Sequence, residues 1–274
     1  MCPQLWEHAV HPEVELLYYP LLERTGMVKH CFTTRAGGVS EGIFSTLNLS
    51  FTRGDDPDAV RQNYLRVAEA MGVAYDSIVC SDQTHTTNVR YVTKQDAGCG
   101  LTRARTYQDV DGLITDVPGL TLATFYADCV PLYFVDPVHR AIGLSHSGWR
   151  GTVSRMGQVT IQAMKEKFGT VASDLICAIG PSICMDCYEV SADVAKAFSQ
   201  AFGSGVSRML LDKKNGKYQL DLWEANRQVL LEAGVLPEHL SCTNICTCCN
   251  AKQLFSHRAS QGKRGNLGAF LCIK

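Results

Sequence analysis

Short apolar runs dominate the middle of the chain. Residues 120–126, 130–135 and 141–145 are rich in β-branched and aromatic side chains, and their length and composition predict buried strands. Residues 27–35 alternate in polarity and lead into two glycines, which predicts a strand that runs into a tight turn. These segments predict a fold with a large β-sheet core.

Apolar residues recur at helical spacing in other segments. Residues 59–71 form an amphipathic pattern that Gly72 ends, as expected at a helix C-terminus. Residues 151–168 show the same periodicity and predict one helix directly after the strand at 141–145. Two further helices are predicted at 191–202 and 222–233.

The remaining predicted strands are short and are connected by polar loops. They lie at 77–85, 88–93, 109–115, 175–179, 242–245 and 267–273, with Asp111-Gly112 as a turn signal. Because the strands cluster with only occasional helices between them, we expect an α+β fold with mixed sheets rather than strict βαβ alternation. The chain has no fixed-period repeat or long linker, so a single domain over residues 1–274 is expected.

Charge and cysteine content narrow the classes of function. The 26 Lys and Arg residues against 27 Asp and Glu leave a net charge of −1, which does not favour binding to nucleic acid. The N-terminus lacks a basic region followed by an apolar one, and no apolar run reaches membrane-spanning length, so a cytoplasmic location without membrane contact is expected. In that reducing compartment, the 13 cysteines are expected mostly as buried thiols.

Three residues with metal-binding side chains stand at the ends of predicted strands. His85, Cys129 and His146 offer two imidazoles and one thiolate, a set that binds Zn²⁺ and leaves a fourth position open for catalysis. Their wide spacing matches no local metal motif, so the spacing alone favours three independent residues. Cys129 with either histidine is also a candidate nucleophile and base, which would make a metal-free cysteine hydrolase.

Several basic residues are candidates for binding an anion. Arg150 and the amides of residues 151–153 follow a sharp turn from strand to helix, a suitable phosphate receptor. Arg35 precedes a glycine-rich loop, and Arg258 belongs to a basic C-terminal cluster. Each of these arginines alone is typical of a solvated surface.

Five cysteines form two close groups. Cys184 and Cys187 make one Cys-x-x-Cys pair, and Cys246, Cys248 and Cys249 contain another. Four such thiols can hold a structural zinc ion. The second pair lacks a glycine-bearing turn, so the sequence favours packed thiols over a metal site.

Motifs along nearly the whole chain resemble one protein family. They are FTTRAGGVS (32–40), LNLS (47–50), QTH (83–85), DGLIT (111–115), ADCVPLYFVDP (127–137), GLSHSGWRGTV (143–153), AIGPSIC (178–184), YEV (188–190), DLWEANRQVLLEAGV (221–235), CTCC and LFSHR. The chain resembles the laccase-domain family, also described as multicopper polyphenol oxidase-like proteins and as purine nucleoside phosphorylases. The resemblance implies a single α/β domain on a mixed β-sandwich flanked by helices. It further implies a Zn²⁺ ion, with Cu²⁺ as the alternative, on His85, Cys129 and His146.

The resemblance also implies an activity on small molecules. The family's reactions are phosphorolysis of adenosine, inosine and S-methyl-5'-thioadenosine, together with hydrolytic deamination of adenosine. The phosphate and substrate contacts would be Arg35, Asn48, Arg150 and Arg258. Asp128, beside Cys129, would be a proton carrier, a partner of the ligands or a structural carboxylate.

Some positions depart from the family pattern. Thr86 and Ser147 stand where the family commonly has glycine and alanine, and Lys263-Arg264-Gly265 replaces its usual C-terminal basic element. None of these changes removes a metal ligand, but the last leaves the C-terminal basic contact open. A copper-dependent polyphenol oxidase is a further alternative; its four-copper form is excluded, because it needs about ten histidine ligands with His-x-His pairs. The chain has eight histidines and no such pair.

Overall fold

The computed structural model describes residues 7–10 and 14–274, and two six-stranded sheets form the centre of this part of the chain. The first sheet has the order β1 (Glu7–Val10), β2 (Glu15–Tyr18), β3 (Val28–Thr33), β15 (Leu267–Ile273), β7 (Thr121–Tyr126) and β4 (Ile78–Cys80). The second has the order β14 (Leu240–Cys242), β10 (Ile176–Ile179), β8 (Val130–Asp136), β9 (Ala141–Ser147), β6 (Gly112–Thr115) and β5 (Val89–Tyr91). A third, smaller sheet contains β11 (Glu189–Ser191), β13 (Lys217–Leu220) and β12 (Leu210–Asp212).

Helices α2 (Pro57–Met71), α3 (Trp149–Val153), α4 (Met156–Phe168), α5 (Ala192–Phe202) and α6 (Leu222–Glu232) lie on the outer sides of the two large sheets. The short α1 (Pro20–Glu23) contacts β3 and β10, one strand from each large sheet. Among the described residues, no helix combines the length and the apolar character needed to cross a membrane.

Alternating side chains along the strands build the layers. In β15, Leu271 lies in the core between the two sheets, while Phe270 packs on the opposite face with Tyr64 of α2. In β8, Tyr133 lies in that same central core, and Phe134 packs in the cluster beneath α4, α5 and α6. The strands therefore carry near-continuous apolar runs because both of their faces are buried.

This arrangement confirms the predicted α+β fold. The β4–β7, β5–β6 and β10–β14 pairs are parallel and the other pairs are antiparallel, so the sheets are mixed. The helix predicted at 59–71 is present as α2: the Asp56 side chain caps it by accepting the Asp58 N–H at 3.0 Å. Gly72 ends it in the left-handed region, at φ +61°.

Two local predictions were wrong. The helix predicted at 151–168 is split into α3 and α4, because Arg155 adopts φ +60° and redirects the chain between them. This break lets α3 pack against α5 and α6 while α4 lies on β9. Asp111-Gly112 is not a turn: Gly112 opens β6, and the buried Asp111 carboxylate binds a neighbouring loop.

Candidate metal centre and its cavity

His85, Cys129 and His146 come together in space although they lie far apart in sequence. Each offers one ligand atom, and the three atoms lie within 4.8 Å of one another. Cys129 Sγ is 3.9 Å from His85 Nε2. The imidazole rings of His85 and His146 are nearly perpendicular, at 81°, with centroids 5.0 Å apart. We call these three residues the ligand triad.

The pairing of two central strands places two members of the triad. Cys129 directly precedes β8, and His146 lies near the end of β9, where it is opposite Pro131 of β8. Antiparallel pairing therefore puts the start of one strand beside the end of the other. His85 comes from the loop after β4, where it adopts φ +67°.

Asp111 connects the two histidines of the triad. Its buried carboxylate accepts a hydrogen bond from His146 Nδ1 at 2.7 Å and from the His85 backbone N–H at 3.1 Å. Its second oxygen accepts the backbone N–H groups of Thr84 and Thr86 at 3.0 and 2.9 Å. With Nδ1 of His146 donating to a carboxylate, Nε2 is the nitrogen available to a metal.

Sequence reasoning missed Asp111 because Asp-Gly reads equally well as a turn. The signal that could have found it is a carboxylate inside the predicted strand segment 109–115, because a charged side chain in a buried strand needs hydrogen-bond or charge partners.

Electrostatics within the triad favour an ionised Cys129 thiol beside a protonated His146 ring, and a metal that binds there would displace the His146 proton. Burial opposes ionisation of the Cys129 thiol, but the facing His146 and His85 outweigh it and lower the thiol pKa to about 6. Burial likewise opposes protonation of His146, yet Cys129 and Asp111 raise its pKa to about 9. A thiolate is thus favoured at neutral pH, and thiolate is the form in which cysteine binds zinc.

Gly148 brings the backbone close to the triad. A Cβ atom at this position would lie 3.0 Å from His85 Cδ2 and 3.1 Å from Cys129 Sγ. The backbone φ of −73° is ordinary for any residue, so the reason for glycine here is space rather than conformation. Only glycine leaves the ligand side chains undisturbed.

A cavity of about 300 Å³ opens at the triad. All three triad residues contribute to its wall, together with aromatic and basic side chains that include Phe51, Arg53, Arg105, Phe125, Tyr126 and Arg264. Arg105 is paired with Asp82. Arg264 is buried, donates to Asn266, and has no hydrogen-bond partner for Nε among the described residues.

Two of the expected phosphate contacts have protein partners instead. The Arg35 guanidinium donates to the carbonyls of Ser45 at 2.8 Å and Ala251 at 3.1 Å, and it lines a different cavity of about 180 Å³. Asn48 is buried, and its Oδ1 accepts the N–H groups of Ser50 and Asn266 at 3.0 and 2.9 Å. Asn266 itself lines the cavity at the triad.

The other two expected contacts also lie outside the cavity wall. The Arg150 guanidinium stacks on the Trp149 ring, 4.3 Å from its centroid. The helix that carries it has five residues, and the Thr152 N–H already donates to the Gly148 carbonyl at 2.8 Å, so the predicted amide receptor is incomplete. Arg258 donates to the carbonyls of Cys187 and Glu189 at 3.0 and 2.9 Å.

Asp128 holds the turn before Cys129 in place. Its carboxylate accepts the Thr247 hydroxyl at 2.6 Å and the Arg258 backbone N–H at 2.7 Å. Its own backbone adopts φ +89°, and its carbonyl accepts the Ile183 N–H at 3.0 Å. These contacts tie three loops together next to the triad.

The fold and the triad define an α+β protein whose β-sandwich carries, at one end, a thiol and two imidazoles close enough together to hold one metal ion. Residues 29–274 match the family described as "Multi-copper polyphenol oxidoreductase laccase". The chain belongs to this family.

Named relatives and a solved structure agree with this assignment. The chain is 36% identical over 244 residues to "Purine nucleoside phosphorylase YlmD" of Bacillus subtilis, covering 89% of this chain and 87% of the relative. It is 33% identical to "Adenosine deaminase RL5" of an unknown prokaryotic organism, covering 82% and 86%. The crystal structure of YlmD from Geobacillus stearothermophilus superposes with a TM-score of 0.93 at 34% identity, covering 99% of this chain and 100% of that one. The relatives' names support an enzyme of nucleoside metabolism.

Proposed function

We propose that the protein is a zinc-dependent purine nucleoside phosphorylase that also deaminates adenosine. Its substrates would be adenosine, inosine and S-methyl-5'-thioadenosine, with phosphate as the second reactant. The observation that carries this proposal is the ligand triad in the wall of a cavity that also holds Arg53 and Arg264. We expect the reaction to take place in the cytoplasm, without nucleic acid or membrane as a partner.

The donor set fits zinc. Two imidazoles and one thiolate match the three-ligand arrangement of catalytic zinc sites, which keep a fourth position open. When bound, the ion would supply Lewis acidity and activate water for the deamination. The same donors also suit copper, so Cu²⁺ is the competing metal at this site. The chain's own part is to hold the donors: Asp111 fixes the His146 ring and the His85 loop.

The phosphate is assigned to the basic wall of the cavity. Phosphorolysis forms a bond between a phosphate oxygen and ribose C1′, breaks the bond between C1′ and the purine nitrogen, and releases purine and ribose 1-phosphate. Arg53 and Arg264 line the same cavity as the triad, so they would bind the anion and orient it toward the sugar. The Nε–H of Arg264, which is buried without a partner among the described residues, would gain one from the phosphate.

The purine is assigned to the aromatic wall. Phe51 and Phe125 line the cavity, and the Phe51 ring is stacked on Tyr64 with centroids 5.8 Å apart. Aromatic faces of this kind bind flat heterocycles by stacking and exclude water from around them. A volume of about 300 Å³ is at the lower end of the range found for small-ligand pockets.

Three residues expected from the family pattern, Asn48, Asp128 and Arg258, would then position other parts of the site instead of contacting the substrate. Asn48 holds the backbone of Asn266, a wall residue, and Asp128 with Arg258 fixes the turn that presents Cys129. Because Arg35 and Arg150 have protein partners outside the wall, the proposal gives the phosphate to Arg53 and Arg264 instead.

The direct test is product analysis with adenosine, in the presence and in the absence of phosphate. We expect adenine and ribose 1-phosphate only with phosphate, and inosine in both conditions. His146→Ala should abolish both reactions, while Arg61→Gln, on the exposed face of α2, should change neither. If the pure, zinc-loaded protein forms neither adenine nor inosine, the proposed function is wrong.

A metal-free cysteine hydrolase is the second candidate. It is favoured by the 3.9 Å contact between Cys129 Sγ and His85 Nε2 and by the lowered pKa of the Cys129 thiol. This function predicts that an electrophile labels Cys129 covalently and that a chelator leaves the activity intact. The phosphorylase proposal predicts the opposite result with the chelator.

A further inference from the structure

Four cysteines outside the ligand triad form a second compact group. Cys184, Cys187, Cys246 and Cys249 each offer one sulfur, and all four sulfurs lie within 4.8 Å of one another. All four are free thiols. The sequence favoured separate packed thiols here, but the fold joins the loop after β10 to a loop near the C-terminus and brings both Cys-x-x-Cys pairs together. We call this group the thiol cluster.

The sulfur spacing matches a tetrahedral metal site. Zinc–sulfur bonds of about 2.3 Å in a tetrahedron place the sulfurs about 3.8 Å apart. Cys249 Sγ lies 3.5 Å from Cys187 Sγ and 3.9 Å from Cys184 Sγ. These distances are close to the tetrahedral edge and well beyond the sulfur–sulfur bond of a disulfide, about 2.05 Å.

The backbone around the cluster is arranged to receive a thiolate. Cys246 Sγ accepts the N–H groups of Cys184 and Cys249, both at 3.3 Å. Hydrogen bonds of this kind stabilise a negatively charged sulfur and orient it toward a metal. The Arg258 guanidinium donates to the Cys187 carbonyl at 3.0 Å, so a positive charge lies beside a site that would carry net negative charge.

We propose that Cys184, Cys187, Cys246 and Cys249 bind a structural Zn²⁺ ion at a second site, independent of the ligand triad. Four soft thiolates without an open position are the donor set of a structural zinc site. Copper(I) and iron are the other metals that thiolates favour, but a complete tetrahedral set of four is met most simply by zinc. Its occupancy does not depend on the proposed enzymatic function.

A metal ion at the thiol cluster would link the two loops that contain Cys184 and Cys246, and both loops contact the residue next to Cys129. Ile183, next to Cys184, donates its N–H to the Asp128 carbonyl at 3.0 Å. Thr247, next to Cys246, donates its hydroxyl to the Asp128 carboxylate at 2.6 Å. Both metal-bound segments thus hold Asp128, the residue before Cys129, so loss of the ion should loosen the turn that carries a triad ligand.

Metal counting on the full chain tests the proposal. The protein is purified under reducing conditions without chelator, and zinc is measured per chain for the wild type, His85→Ala/His146→Ala and Cys184→Ser/Cys249→Ser. We expect about two zinc ions in the wild type and about one in each double variant. Cys242→Ser is the control: Cys242 is a free cysteine of β14 outside the cluster, so both ions should be retained.

Cobalt loading and alkylation give readouts that do not require the cysteine variant to fold. In His85→Ala/His146→Ala, bound Co²⁺ should show the intense thiolate charge-transfer absorption of four sulfur ligands, and the four thiols should react with an alkylating agent only after metal removal. A metal-free His85→Ala/His146→Ala protein with freely reactive cluster thiols would overturn the proposal. So would a disulfide within the cluster in the freshly purified, reduced protein.

Discussion

The Asp111 carboxylate accepts the Nδ1 hydrogen of His146 at 2.7 Å, and both groups are buried. This pair sets the orientation of one imidazole of the triad, and the same carboxylate holds the loop that carries the other. The burial of Asp111 would raise its pKa, but the hydrogen bond and charge of His146 lower it, so it stays an anion. Asp111 therefore holds both histidines of the triad, whereas Asp128 holds the turn that carries Cys129.

Removing this negative charge should weaken metal binding. We expect Asp111→Asn to lower zinc affinity by about 10- to 100-fold, because the amide cannot fix the His146 tautomer or accept all the loop hydrogen bonds. Competition with a chromophoric chelator measures the affinity. Asp116→Asn is the control, since Asp116 bonds to the Tyr91 hydroxyl at the surface, away from the triad. Equal zinc affinity in wild type and Asp111→Asn would contradict the positioning role.

A single methyl group beside the triad should have a similar effect by steric means. In Gly148→Ala, the new Cβ would lie 3.0 Å from the His85 ring and 3.1 Å from Cys129 Sγ, so one ligand must move. We expect lower zinc occupancy and a loss of activity, with little change in the thermal unfolding of the metal-free protein. Gly151→Ala is matched in sequence position and chemistry, but its Cβ meets atoms no closer than 3.6 Å. If both variants bind zinc equally well, the close approach at Gly148 is unimportant.

The phosphate assignment makes a kinetic prediction. Arg264→Gln removes a charge-assisted hydrogen bond of about 1.5–3 kcal/mol, so we expect the KM for phosphate to rise roughly 10- to 100-fold. Adenosine deamination, which uses no phosphate, should change much less. Arg264→Lys should recover part of the loss, because it restores the charge without the planar fork. Phosphorolysis and deamination falling in parallel in Arg264→Gln would indicate a structural role for Arg264 instead.

The sequence predicted the central strands of the two large sheets because these strands are buried on both sides, but it did not predict β1 and β2 at the edge of the first sheet. The boundaries of β15 agree with the prediction, since an apolar run flanked by polar loops has few alternatives. The small third sheet was not predicted, because its strands have three or four residues and only part of their surface is buried. The break at Arg155 was not predicted, because a positive φ at an arginine has no local sequence signal; it accompanies the packing of α3 against α5 and α6.

The three residues of the triad could be named from the family motifs, and the structure brings them together, but the residues that position them could not be predicted. His85, Cys129 and His146 stand in recognisable motifs, whereas Asp111 is identified only by hydrogen bonds between segments distant in the chain. The arginines that line the cavity could not be predicted from sequence either. Arg35 and Arg150 have suggestive neighbours in sequence, yet the fold gives the cavity Arg53 and Arg264. Which arginine faces a cavity depends on loop paths that residue spacing does not encode.

A buried histidine far from the triad should control acid stability. His30 Nε2 accepts the Tyr19 backbone N–H at 2.8 Å, so the ring is neutral in the folded protein. Burial, together with the charge of Lys274, lowers its pKa to about 3, whereas an unfolded histidine titrates near 6.5. The unfolded state therefore binds a proton first as the pH falls.

Because the unfolded state binds the proton more readily, the neutral His30 contributes fully to the free energy of unfolding above about pH 6.5. That contribution is lost as the pH falls from 6.5 toward 3. The slope from this group approaches about 1.4 kcal/mol per pH unit. We expect His30→Gln to unfold more readily than the wild type at pH 7 and to show a flatter pH dependence between pH 6 and 4, measured by urea denaturation. His239→Gln, at the half-buried residue just before β14, should keep the wild-type slope because it leaves His30 in place. A wild-type slope in His30→Gln would mean that other groups dominate acid unfolding.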